Sequence, residues 1–203
     1  MDTGPTPDET PAPERFWNVP NAITLSRLVL SLAVFALIGR GLYIPALVVF
    51  GLASLTDAFD GYFARLLDQA TAFGRQFDPL VDKVVVCGAF IYLLGVPGDT
   101  GLAPWMVATI VIRELLIQGL RSHLEAGGRA FGARFAGKLK TFAQMTAICA
   151  ILFALEVRPA PPWLLARDLI TWLAVGLTVY SGLGYVLMAI PTSRRRAASS
   201  PLP

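Results

Sequence analysis

The sequence has few charged residues and few cysteines, and both shortages restrict what kind of protein it can be. Only 15% of its 203 residues are charged, whereas 55% are hydrophobic and the mean hydropathy is +0.60. A soluble domain normally carries about 25% charged residues. Cys87 and Cys149 each lie within an apolar run, so we expect two small buried side chains and no disulfide framework. The composition excludes an ordinary soluble domain and predicts an integral membrane protein.

The first 14 residues lack the basic start and the apolar stretch of a cleaved signal peptide. They are rich in proline, threonine and acids, which predicts a disordered tail over residues 1–14. Residues 15–21 mix aromatic and polar side chains with a proline and are typical of a short interfacial segment. We therefore expect a membrane catalytic domain over residues 15–190, followed by a basic cytoplasmic tail over 191–203.

Six apolar segments approach the length of about 20 residues that crosses a bilayer. They lie at 22–39, 43–66, 79–97, 103–122, 138–156 and 163–190, and the breaks between most of them are rich in glycine and proline. The last segment is longer than a span needs, so we expect it to tilt or to begin as an interfacial turn around Arg167 and Asp168. The prediction is an all-α integral membrane protein with six transmembrane helices.

Basic residues predict the orientation of these helices. The loops on one side hold Arg40, Arg158 and Arg167, three of the 17 basic residues, and the others lie on or near the opposite face. Lysine and arginine accumulate on the cytoplasmic side of membrane proteins. We expect a multi-pass protein of the cell (inner) membrane, with both termini and the connection between the second and third spans in the cytoplasm.

Four aspartates flank that connection. Asp57 and Asp60 are three residues apart and Asp78 and Asp82 are four apart, so each pair shares one face of a helix. Acids near bilayer depth are costly and usually face a cavity, an ion or a partner. Four carboxylates in one space require cations, and oxygen ligands favour Mg²⁺, Mn²⁺ or Ca²⁺. Because Mg²⁺ keeps coordination positions open for phosphate oxygens, the pattern favours phosphoryl chemistry.

The neighbouring residues fit that chemistry. Gly61 and Ala64 follow the first aspartate pair at helical spacing and leave a smooth patch against which a nucleotide can lie. Arg65 can bind a phosphate through its guanidinium group. Gly74 is expected to allow a tight turn in the connection.

The spacing Asp57-x2-Asp60-Gly61-x2-Ala64-Arg65-x8-Gly74-x3-Asp78-x3-Asp82 resembles the signature of the CDP-alcohol phosphotransferases. The resemblance implies six transmembrane helices, a homodimer, and a cytoplasmic site with two divalent ions, Mg²⁺ or Mn²⁺. It implies that Asp57, Asp60, Asp78 and Asp82 bind metal and that Asp82 is also the general base. It assigns Gly61, Ala64, Arg65 and Gly74 to the CDP group, together with Asn21 and Thr24 near Arg27, which align less specifically.

Four further basic residues predict a pocket for a second anion. They are Arg113 and Arg121 in the fourth span and Lys138 and Lys140 at the start of the fifth. Their convergence near a metal site favours an acceptor that carries a phosphate, although anchoring at the membrane surface is the alternative. Glu114 either pairs with an arginine or has another role, and His123 is best interpreted as an interfacial polar residue.

Residues 17 to about 150 resemble the family members that transfer a phosphatidyl group from CDP-diacylglycerol to glycerol 3-phosphate. The expected partners are these two substrates, membrane lipids and a second copy of the chain, with no nucleic acid. Inositol phosphate, phosphatidylglycerol and serine are alternative acceptors within the family. Outside it, an aromatic prenyltransferase would also bind diphosphate through acidic helices, but we would expect two separated acidic motifs and more spans. A divalent-cation transporter would leave Gly61, Ala64, Arg65 and the cationic residues unexplained.

Overall fold

The structure is a computed structural model that describes residues 19–54, 72–126 and 135–197, with side chains for 25–54, 80–122 and 137–185. These residues form six helices and no strand. The helices are α1 (Val19–Gly39), α2 (described over Tyr43–Ser54), α3 (Ala72–Leu94), α4 (Pro104–Ala126), α5 (Phe135–Val157) and α6 (Pro161–Ala197). The described part of the chain therefore confirms the all-α class.

Glycine and proline set several of the helix ends. After α1, Gly41 adopts a φ of 73°, and the amide of Leu42 donates to the carbonyl of Leu37 over 3.0 Å. This is the glycine-based cap that commonly ends a helix, because glycine adopts positive φ without a steric penalty. Pro104 and Pro161 are the first residues of α4 and α6. Proline is favoured there because the first helical amides have no acceptor within the helix.

The tight turn expected at Gly74 was wrong, one of the two alternatives for the last span is excluded, and the expected interfacial segment is only partly described. Gly74 lies in the first turn of α3 and not in a tight turn, since one glycine costs a helix only about 1 kcal/mol. α6 runs without interruption through Arg167 and Asp168, so no interfacial turn forms there. α1 begins at Val19, so residues 19–21 of the expected interfacial segment are its first turn, while 15–18 lie outside the described residues.

Partners in a neighbouring loop and in α6 itself accommodate the charge of Arg167 within the helix. Its side chain is buried and donates to the carbonyl of Asp99 over 2.6 Å, and it pairs with the carboxylates of Asp99 (3.1 Å) and Asp168 (2.7 Å). These bonds tie α6 to the loop at 95–103. The hydrogen bond from Arg167, followed by one from the amide of Gly101, holds the pKa of Asp99 below its usual value.

The apolar core occupies one half of the helix bundle. It is built from residues that recur on the inner face of each helix, among them Phe35, Phe50, Phe90, Ile110 and Ile151. The buried charged residues Glu114 of α4 and Lys140 of α5 lie beyond this core, on the side of the connection at 127–134. This side is the polar end of the bundle, and the ion pairs of Arg167 with Asp99 and Asp168 lie at the opposite end.

The outer surface of the bundle is apolar. Large hydrophobic side chains are exposed along every helix, including Leu32, Leu116, Phe142 and Leu173. Contiguous apolar surface of this extent is unfavourable in water and indicates a membrane protein. Within the described ranges, Gly137–Val157 and Pro161–Tyr185 are long and apolar enough to cross a bilayer. The apolar stretches Leu25–Gly39 and Tyr43–Ser54 are shorter.

Candidate active site

The described part of the acidic motif is anchored on α1. Asp82 in α3 is half-exposed, and its Oδ1 accepts a hydrogen bond from Nη1 of Arg27 in α1 over 3.0 Å. Arg27 itself is buried, with only 7% of its side chain exposed. Because one partner is buried in the bundle and the other reaches the surface, the pair fixes the direction of the Asp82 carboxylate.

α3 presents a second charged residue on its neighbouring face. Lys83 follows Asp82 directly, and successive residues on an α-helix point about 100° apart. Asp82 therefore faces α1, while Nζ of Lys83 lies 2.9 Å from Oε2 of Glu114 in α4. α3 therefore contacts α1 through Asp82 and a cluster of charges around Glu114 through Lys83.

Glu114 is the centre of this cluster. Its side chain is 1% exposed, and its Oε1 accepts hydrogen bonds from Lys140, from Arg113 at 3.2 Å and from Gln144 at 3.3 Å. A buried carboxylate is stable only when it is paired and hydrogen-bonded. Of the two alternatives left open for Glu114, it does pair with an arginine, Arg113, and lysines from α3 and α5 also pair with it.

The cluster continues into α6 through neutral side chains. Gln144 donates to the hydroxyl of Thr178 over 2.9 Å, and Arg113 donates to the hydroxyl of Ser181 over 2.9 Å. Gly182 leaves room for the arginine, since a Cβ there would lie 3.0 Å from Cγ of Arg113. Four helices, α3 to α6, are therefore joined by one polar network.

The network carries more positive than negative charge. Among the described residues, the cations of Lys83, Arg113 and Lys140 surround the single carboxylate of Glu114. Nε of Arg113 is buried and has no hydrogen-bond acceptor within the described ranges. Buried excess charge is costly in an apolar medium, and an anion that binds the cluster would offset it. The geometry suits a phosphate group, which several cations can bind together.

The structure places the predicted site residues unequally. Arg113 and Lys140 meet at Glu114, whereas the side chains of Arg121 and Lys138 are exposed at the polar ends of α4 and α5. Asn21, Thr24, Gly74 and Asp78 lie in described helices, but their surroundings are outside the described side chains, as are those of His123. Outside the described residues lie Asp57, Asp60, Gly61, Ala64 and Arg65.

Sequence reasoning missed Lys83 and the polar partners of the cluster. A signal was present, because Lys83 follows the last aspartate of the motif at the start of an apolar run. Gln144 is one turn after Lys140, and Thr178 and Ser181 are three residues apart in an apolar helix. Polar residues that share a face of an apolar helix usually face a polar interior.

The described side chains contain no group of three or more histidine, cysteine, aspartate or glutamate residues that could hold a metal ion. Of the four predicted ligands, only Asp82 belongs to those side chains. The helical placement of Asp78 and Asp82 in α3 agrees with the expectation that they share a face. The chemistry of the complete aspartate set, hard oxygen donors alone, fits a divalent cation such as Mg²⁺ or Mn²⁺.

A groove of about 540 Å³ lies at the opposite end of the bundle. It is lined by the ends of α1 and α3 and the start of α2, including Arg40, Tyr43 and Tyr92. None of the described residues that line it carries a carboxylate, and Tyr92 is ten residues, or about 15 Å of helix, from Asp82. The groove is therefore separate from the charged cluster.

Comparison with known proteins identifies the family to which the chain belongs. Residues 17–180 match the family model described as CDP-alcohol phosphatidyltransferase. This match covers most of the sequence, and the chain belongs to the CDP-alcohol phosphatidyltransferase family. It is accordingly a transferase, and members of this family generally depend on divalent metal ions.

Three relatives are named CDP-diacylglycerol--glycerol-3-phosphate 3-phosphatidyltransferase. The protein of Bacillus subtilis is 38% identical over 189 residues, covering 83% of this chain and 93% of the relative. That of Pseudomonas fluorescens is 34% identical over 181 residues, covering 86% and 91%. That of Cereibacter sphaeroides is 40% identical over 145 residues, covering 68% and 63%. The family assignment decides against the prenyltransferase and the cation transporter.

Proposed function

We propose that the protein transfers a phosphatidyl group from CDP-diacylglycerol to glycerol 3-phosphate, giving phosphatidylglycerol phosphate and CMP. The observation that carries this choice of acceptor is the buried excess of cations around Glu114, reached through Lys83 directly beside Asp82. A phosphorylated acceptor would supply the missing negative charge, whereas serine would not supply a phosphate. The names of the relatives support the same substrates.

In this proposal the two sides of α3 have different tasks. Asp82 accepts the proton of the attacking hydroxyl of glycerol 3-phosphate. The hydroxyl oxygen then forms a bond to the lipid-bearing phosphorus, and the bond from that phosphorus to the bridging diphosphate oxygen breaks, so that CMP leaves with the electron pair. Arg27 holds the carboxylate in place. Lys83, Arg113 and Lys140 hold the phosphate of the acceptor, with Arg121 and Lys138 at the entrance.

The aspartates of the motif would hold two divalent ions, Mg²⁺ or Mn²⁺. When bound, these ions would neutralise negative charge on the diphosphate and on the departing CMP. Asp57, Asp60 and Asp78 would be ligands, and Asp82 would contact one ion. Gly61, Ala64, Arg65 and Gly74 would bind the CDP group, with Asn21 and Thr24 nearby. The donor chemistry of the motif supports this assignment.

We further propose a homodimer with six transmembrane helices per chain and both termini in the cytoplasm. The apolar outer surface and the excess of basic residues at the polar end support this topology. The site would then open at the cytoplasmic interface, where a lipid donor and a soluble acceptor can meet. We place the protein in the cell (inner) membrane on the same grounds.

The experiment that tests the acceptor compares CMP release by the detergent-purified protein with several alcohols. CDP-diacylglycerol and Mg²⁺ are kept constant, and glycerol 3-phosphate, glycerol, inositol phosphate and serine are compared. We expect turnover with glycerol 3-phosphate alone, because it carries a phosphate for the cationic cluster and is the acceptor in the names of the relatives. Equal turnover with glycerol would contradict the role of the cationic cluster. Turnover with inositol phosphate alone would support the role of the cationic cluster but contradict glycerol 3-phosphate as the acceptor.

A further inference from the structure

The cluster around Glu114 is arranged so that one carboxylate contacts cations from three helices. Oε2 faces Lys83 of α3, and Oε1 faces Arg113 of α4 and Lys140 of α5. The three cations would repel one another without the carboxylate between them. Glu114 is therefore the group that keeps them close together.

The accessibility of the cations differs in an ordered way. The side chain of Lys140 is 2% exposed, that of Arg113 is 11% exposed and that of Lys83 is 25% exposed. Glu114, at 1%, is as deeply buried as Lys140. An acceptor arriving from the side of Asp82 would meet Lys83 first and would not reach Glu114 without displacing the cations. Glu114 is thus placed behind Lys83 and Arg113, at the same depth as Lys140.

We propose that Glu114 is a positioning residue that sets the spacing of Lys83, Arg113 and Lys140 to fit the phosphate of the acceptor. This inference rests on the proposed function and deepens it. Glu114 would not contact the substrate, and it would act through the three cations. If charge alone mattered, the negative charge of Glu114 would weaken the binding of a phosphate. We therefore attribute its presence to the spacing that it imposes on the three cations.

Glu114→Gln separates these two effects because glutamine keeps the shape and removes the charge. If only the summed charge mattered, the cluster would become more positive and the KM for glycerol 3-phosphate would fall. If Glu114 positions the cations, their mutual repulsion would separate them and that KM would rise. We expect a rise of roughly tenfold or more, since a displacement of about 1 Å in a positioning group can cost about a hundredfold in rate.

The assay measures CMP release as a function of each substrate in turn, using the purified full-length protein. A misfolded fraction lowers the maximal rate but leaves both KM values unchanged, so a KM change reports on folded molecules. Glu156→Gln is the matched control, because Glu156 is exposed near the end of α5 away from the cluster. Glu114→Asp keeps the charge on a side chain shorter by one carbon and is expected to restore part of the affinity.

The inference predicts a raised KM for glycerol 3-phosphate and a KM for CDP-diacylglycerol within about twofold of the wild type. An unchanged or lowered KM for glycerol 3-phosphate in Glu114→Gln would overturn it. If that variant yields no active protein, the KM of Glu114→Asp for glycerol 3-phosphate is compared with the wild-type value instead. An unchanged or lowered KM in Glu114→Asp would then overturn the inference. Absence of turnover with glycerol 3-phosphate in the wild type would instead refute the proposed function.

Discussion

Replacing Gly88 by alanine tests the close contact that places α3 against α1, and with it Asp82 against Arg27. A Cβ built on Gly88 would lie 2.2 Å from Cζ of Phe35, where ordinary contacts are 3.4–4 Å. The Phe35 ring would have to move by more than an ångström. It is buried and stacks on Tyr92 with the ring centroids 5.0 Å apart, so it has little room to move.

The expected cost follows from these contacts. Overpacking a core costs about 1–3 kcal/mol, and the higher helix propensity of alanine returns about 1 kcal/mol. Because the contact is so short, we expect a net loss of about 2 kcal/mol. For a chain of this size that loss lowers the melting temperature by about 4–8 °C.

The assay is thermal unfolding of the detergent-purified protein, followed by loss of helical circular dichroism. Gly119→Ala is the matched control, because a Cβ at that helical position meets nothing within 4 Å among the described atoms. It should be neutral or slightly stabilising, since the new methyl group has no atom to displace. A melting temperature for Gly88→Ala equal to or above that of Gly119→Ala would refute the packing of α3 on α1 described above.

Two further predictions concern other parts of the bundle. Gly182→Ala should raise the KM for glycerol 3-phosphate several-fold by displacing Arg113. Gly176→Ala is the control and should leave this KM unchanged, because a Cβ there meets none of the described atoms within 4 Å. Equal KM values in the two variants would contradict the placement of the arginine. Because its pKa is lowered in the folded state, Asp99 should stabilise the fold above its unfolded pKa, and this contribution should disappear as the pH falls through the lower folded pKa. Asp99→Asn should therefore melt at a lower temperature than the wild type near pH 7. The loss in free energy of unfolding should be less than about 1 kcal/mol, because the Asp99 side chain is exposed, and it should shrink below about pH 4. A difference that grows on acidification would contradict this sign.

The all-α class and most helix positions could be predicted from the sequence because apolar runs and Gly/Pro breaks are local signals. The errors arose where tertiary contacts override local signals. An interfacial turn around Arg167 was one alternative for the start of the last span, but Arg167 lies within α6 and its charge is paired with Asp99, which is 68 residues away. Gly74 was expected to allow a tight turn in the connection, but it lies in α3, because a single glycine is too weak a signal to exclude a helix.

In the candidate site, too, the motif could be predicted from nearby residues, whereas contacts between residues far apart in the sequence could not. The spacing of the motif predicts that Asp82 is a site residue, since the pattern is contained in the sequence itself. Its contact with Arg27 joins residues 55 positions apart, and only the packing of α1 on α3 reveals that contact. Lys83 was missed because its partner, Glu114, lies in another helix. A charged residue in an apolar run indicates a buried partner but does not identify it.

The most direct test of the proposed function is the stoichiometry of the products. Purified protein is incubated with CDP-diacylglycerol, Mg²⁺ and radiolabelled glycerol 3-phosphate, and the label in the lipid phase is compared with the CMP released. The proposed reaction predicts one labelled lipid per CMP in the wild type, and almost none of either in Asp82→Asn, because the attacking hydroxyl would lose its base. CMP release without label in the lipid, or full activity in folded Asp82→Asn, would contradict it.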